Sequence, residues 1–140
     1  MKLIPPTSVL LLCALLAGLA GCATTETGPA PLPMVVCELR CSDPDAALAF
    51  GSVLELRLID FTRADSRPIV IAERIESNPG QPPLRFHLLY NAAAIDPAHD
   101  YGVEARILHK GLPLWVQPEP VPVITKEHPA NVSLVLQPPS

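Results

Sequence analysis

Hydrophobic and polar side chains alternate with a period of two through four stretches of the chain. In "VLELRLIDF" (53–61), Leu54, Leu56 and Leu58 share one side, and Glu55 and Arg57 the other. In "LRFHLLY" (84–90), Leu84, Phe86, Leu88 and Tyr90 oppose Arg85 and His87. "YGVEARILH" (101–109) sets Tyr101, Val103, Ala105 and Ile107 against Glu104 and Arg106, and "NVSLVLQ" (131–137) repeats the pattern with Val132, Leu134 and Leu136. Such alternation predicts antiparallel strands solvated on one face. Further strands are expected at 34–41, 68–75 and 112–124. The last holds Pro113, Pro118, Pro120 and Pro122, which confine it to an edge or to strand ends. Turn residues separate the strands at 64–66, 78–83, 95–100 and 109–111. Asp43-Pro44 and Asp96-Pro97 each place a cap residue before proline and predict two short helical turns, the first ending at Gly51. The fold class is all-β: a compact antiparallel β-sandwich of seven or eight short strands, one domain over 34–138.

The chain opens differently. No charged residue occurs from Leu3 to Thr25, a length that would span a bilayer. Yet Lys2 supplies a positive start, Pro5-Pro6 spoils a helix there, and the dense apolar core runs only from Val9 to Leu19. Residues 1–21 therefore read as a signal peptide. "LAGC" (19–22) resembles the lipobox of bacterial lipoproteins, which implies cleavage before Cys22, lipidation of its thiol and acylation of its amino group. Ala23, where an aspartate would signal retention at the inner membrane, implies export to the outer membrane on its periplasmic side. "ATTETGPAPLP" (23–33) has no hydrophobic period and three prolines; it reads as an extended tether with a reach of roughly 34 Å.

Cleavage leaves 119 residues, suited to one domain with a real core. Nine Lys and Arg then face fourteen Asp and Glu, a formal charge of −5. Mild acidity without a basic cluster excludes nucleic acid and electrostatic lipid binding as principal functions.

"VLELRLIDF", "PIVIAE" and "FHLLYNAAAIDPAHDYGVEARILHKGLPLW", in that order after a lipobox, resemble the YbaY/YscW lipoprotein family. Leu54, Leu58, Asp60, Ile71, Ala72, Glu73, Phe86, Leu88, Tyr90, Ile95, Asp96, Tyr101, Val103, Ala105, Arg106, Ile107 and Gly111 carry the resemblance, which covers about residues 34–137. It implies a β-sandwich on the periplasmic side of the outer membrane. Members in type III secretion are pilotins, lipoproteins that escort secretin subunits.

Cys37 and Cys41, in "CELRC", are the remaining thiols of the mature chain. An extended strand sets them roughly 13 Å apart, whereas bridged Cα atoms lie within about 7 Å. A disulfide would need a bulge or turn near Leu39; buried free thiols or an intermolecular bond are the alternatives. The histidines at 87, 99, 109 and 128 share no metal-ligand spacing; three stand beside turns and read as solvated. No nucleophile motif or phosphate loop is present, and no cofactor is implied. Asp60 falls on the inward face and is expected at a strand end, receiving backbone N–H groups. The sequon "NVS" (131–133) lies in a strand and is discounted. Trp115, between Leu114 and Val116, is either core or an exposed anchor for a partner.

These features favour an outer-membrane lipoprotein that binds or escorts an envelope protein such as a secretin, without catalysis. A purely structural envelope lipoprotein and a periplasmic enzyme are the rival classes. The 112–124 edge, with Leu114, Trp115 and Val116, is the favoured docking strand on sequence grounds; an apolar crevice between the sheets is the second route.

Overall fold

Every second residue of β1 (Met34–Cys41) is buried: Val35, Cys37, Leu39 and Cys41. The other strands are β2 (Ser52–Asp60), β3 (Ile69–Ser77), β4 (Leu84–Leu89), β5 (Tyr101–His109), β6 (Leu112–Val116), β7 (Val121–Val123) and β8 (Asn131–Leu136). These come from a computed structural model that describes residues 28–140. The expected signal peptide and most of the expected tether, Cys22 included, lie outside the described residues. Residues 28–33 carry no regular secondary structure, and residues 31–140 form one unit.

The strands form two sheets, one ordered β4-β1-β8 and the other β3-β2-β5-β6, with β7 also paired to β5. Their inward faces make one core. Leu54, Leu56 and Leu58 of β2 meet Val103, Ala105 and Ile107 of β5 in register, and Leu39, Leu88, Leu134 and Leu136 cover them from the other sheet. The expected β-sandwich is observed. One pairing departs from the antiparallel rule: β1 and β8 run parallel, from Val36↔Asn131 to Cys41↔Leu136.

The stretch 112–124 is two strands sharing one neighbour. β6 pairs with the C-terminal half of β5 and β7 with its N-terminal half. The proline-bearing segment 117–120 crosses between them, and there the chain packs closely on Gly102. A Cβ on Gly102 would lie 2.8 Å from Phe61 Cε1 and 3.0 Å from Pro120 Cβ, so any larger residue would force these neighbours to shift.

Neither expected helical turn develops into a helix. Asp43 Oδ1 accepts the Asp45 N–H at 2.9 Å and Asp96 Oδ1 the Ala98 N–H at 2.9 Å, as caps would, but each stretch stops after a single turn closed by Ala46 N–H to Asp43 O and His99 N–H to Asp96 O. The one short 3-10 turn among the described residues is Ala92–Ala94, where the Asn91 side chain accepts from the Ala93 N–H.

Candidate functional site

The two long flanks of the sandwich are finished differently. On one, β6 is stitched to the end of β8: Val116 N–H donates to Gln137 O, and Gln137 N–H to Val116 O, each at 2.8 Å. On the other, β3 and β4 are the outermost strands of their sheets.

Part of this second flank is sealed by charge. Arg74 pairs opposite Leu56 and so takes an inward position. Its Nη2 lies 2.9 Å from Glu76 Oε2, its Nη1 donates to the His87 carbonyl at 3.0 Å, and the guanidinium sits 5.0 Å from the centre of the Phe86 ring. Inward charges on an edge strand discourage unwanted strand pairing, and the cation over the ring adds attraction.

Beyond Arg74 the seam carries no charged side chain. It opens as an apolar cleft of about 510 Å³, with Ile71 and Ala72 on one wall and Leu89, Tyr90, Asn91 and Ala92 on the other. Leu32 and Pro33, at the foot of the tether, complete it. Ile71 reaches this place through a bulge. Leu58 pairs with Ala72 and Ile59 with Val70, which leaves Ile71 without a partner on β2. Bulges at sheet edges commonly re-aim a side chain in this way. As a result two consecutive residues, Ile71 and Ala72, both pack against the core and line the cleft.

A second depression of about 190 Å³ lies on the polar face of the larger sheet, lined by Glu55, Arg57, Glu104, Arg106 and Gln117. Its charges largely satisfy one another: Arg57 Nε is 2.7 Å from Glu73 Oε1, and Arg106 pairs with Glu55. The arrangement is a paired, solvated sheet face.

Beside the cleft, a polar network fixes the connection between β4 and β5. Asp60 ends β2 with its side chain largely buried, as expected, and Oδ1 accepts the Thr62 N–H and hydroxyl. Its Oδ2 lies 2.7 Å from His99 Nδ1, so His99 is paired with a carboxylate rather than merely solvated. Loss of water pushes the Asp60 carboxyl up, but the Thr62 and His99 hydrogen bonds outweigh this and hold it below the usual carboxylate range. The Asp100 N–H donates to Thr62 Oγ1, Thr125 Oγ1 donates to the His99 carbonyl, and Lys126 Nζ reaches Asp100 at 2.7 Å. The Tyr101 hydroxyl accepts the Asp96 N–H at 2.9 Å.

The other residues singled out in the sequence are distributed as follows. Cys37 and Cys41 are free, buried thiols. β1 pairs with β4 and β8 without a register shift, so the bulge that a disulfide would require is absent. Burial pushes the Cys37 thiol up to about 12 and raises that of Cys41, with Asp43 adding to the latter, which disfavours the reactive thiolate at both. Trp115 is half-buried against the core, while Leu114 is 39% exposed. The Val116 backbone is already engaged by Gln137. Among the described residues, no group of three or more His, Cys, Asp and Glu side chains could hold a metal ion, and no helix is long and apolar enough to cross a membrane.

A crevice between the sheets is expected from the sequence, but not its place, because the continuous apolar run in "PIVIAE" gives no sign of the bulge. Leu32 and Pro33 read only as tether. The charge signal was present, since Arg74 and Glu76 interrupt the apolar face of β3 where Ile71 and Ala72 do not.

The structure is similar to one described as an alternative pilotin from the type II secretion system of Vibrio cholerae, with a TM-score of 0.73 and 28% sequence identity. The match covers 78% of this chain and 98% of the other. No curated protein sequence matches the chain. Residues 42–136 match the family described as "Type III secretion system lipoprotein chaperone (YscW)". That match takes in most of the sandwich, from the turn after β1 to the last residue of β8, and the chain belongs to this family of lipoprotein chaperones.

Proposed function

We propose that the chain is a lipid-anchored escort that holds an apolar segment of a secretin-like envelope protein in the cleft between β3 and β4. The family and the similarity to a pilotin support a binding and escort role rather than catalysis. The observation that carries the site is the uncharged opening of the β3–β4 seam beside a stretch that Arg74 and Glu76 close. An apolar client segment placed there would extend the core instead of covering a solvated face. The anchor would be a lipid on Cys22 in the outer membrane, facing the periplasm, with residues 1–21 removed; "LAGC" and Ala23 support this reading.

The second surface is β6, where Leu112 is 69% and Leu114 39% exposed beside Trp115 and Val116. It is the weaker one, because Val116 has its backbone groups occupied and Trp115 packs inward. A photo-crosslinking side chain in place of Ala72 or of Leu114, in cells that carry the secretion machinery, separates the two. Adducts with a secretin from position 72 and none from 114 are expected. The reverse result moves the site to β6, and adducts from neither surface return the protein to a purely structural role.

A further inference from the structure

We propose that the foot of the tether, Leu32–Pro33, is a movable wall of the cleft, so that the apolar segment of the client is gripped partly by the anchor's own chain. This deepens the cleft reading and rests on it.

The other walls are fixed. Ala72 is paired with Leu58 and flanks the bulged Ile71 on a strand held along its length by β2. Leu89 is paired with Met34. The wall from Tyr90 to Ala92 begins a connection stapled further on, through Tyr101 to Asp96, through Asp60 to His99 and through Thr62 to Asp100.

The tether's foot has none of this. Among the described residues its one hydrogen bond is from the Tyr90 N–H to the Pro33 carbonyl, at 3.1 Å. Leu32 lines the cleft yet is 68% exposed, and Leu89, also at the cleft, is 50% exposed. Two leucines this exposed at the border of an open cleft have little to pack against until something apolar enters. An occupant that buried Leu32 would draw the foot inward and shelter the Tyr90–Pro33 bond from water. Occupancy and the setting of the tether would then be linked, each favouring the other.

The test uses the full chain and two readouts. In purified protein, with anilinonaphthalene sulfonate as the apolar probe, Tyr90 amide exchange should slow about tenfold on saturation. Leu32→Ser and Leu89→Ser should each weaken the dye about three- to tenfold. In native membranes, photo-crosslinking side chains in place of Leu32 and of Leu89 should capture the same envelope protein, and one in place of Leu112 should not. If Leu89→Ser weakens the dye while Leu32→Ser and Tyr90 exchange show no effect, the moving wall is overturned and the cleft stands. A dye indifferent to both substitutions overturns both. Capture of bilayer lipid alone from position 32 also overturns the proposal, since the foot would then lie on the membrane.

Discussion

His99 Nδ1 lies 2.7 Å from Asp60 Oδ2, thirty-nine residues away in the chain, and this contact ties the connection before β5 to the end of β2. Asp60 also holds Thr62, so one carboxylate organises two loops. Because its pKa is lowered in the folded state, Asp60 contributes stability above its unfolded value of about 4. That contribution fades as pH falls through the folded value. Urea unfolding followed from pH 7 to pH 3 should show Asp60→Asn less stable than the parent at neutrality by about 1–3 kcal/mol, with the two converging in acid.

Leu56 is fully buried between the sheets, and Leu56→Ala should cost about 2–5 kcal/mol. Phe86 only packs against the core from the open flank, under Arg74, and Phe86→Ala should cost less than Leu56→Ala. Thermal or urea denaturation of both variants checks the order; a reversal would mean that the β3–β4 seam is closed more tightly than its geometry indicates.

Gly102→Ala should destabilise by about 1–3 kcal/mol, because the new methyl group meets the Phe61 ring and Pro120. Phe61→Leu in the same chain should recover part of that loss. The coupling is read from a double-mutant cycle.

Cys37 and Cys41 should resist a thiol reagent in the native protein and both react once it is unfolded without reductant. Mass spectrometry of the labelled chain decides it, since a bridged pair would take up no label at these positions.

Much of this architecture was legible because burial on one face leaves a period-two record. Leu54, Leu56 and Leu58 announced their strand, as did Tyr101, Val103, Ala105 and Ile107, and Asp60 stands at its strand end, as its need for donors on an inward face implied. What escaped depends on partners distant in sequence. The parallel pairing of β1 with β8 leaves no mark in either strand's pattern. Ile71 looks like any other residue of the apolar run Ile69–Ala72 until β2 leaves it unpaired. Asp96-Pro97 carries a helix-starting signal and Asp96 does accept the Ala98 N–H, but Asp60, Thr125 and Thr62 hold His99 and Asp100, so the turn goes no further. The cleft combines a bulge with a seam between sheets and a wall contributed by chain that reads as tether.

The position of β1 in its sheet has a mechanical consequence. It is the central strand, held by β4 through pairs from Met34↔Leu89 to Leu39↔Leu84, and by β8 through pairs from Val36↔Asn131 to Cys41↔Leu136. A pull on the N-terminal side of Met34 along the strand therefore loads two ladders in shear at once. Their bonds resist together instead of parting one at a time, as they would in an edge strand peeled outward. Cargo tugging against the N-terminal end is met by both ladders together, and through the β4 ladder and Leu32–Pro33 that load reaches one side of the cleft while β3, on the other, does not pair with β1.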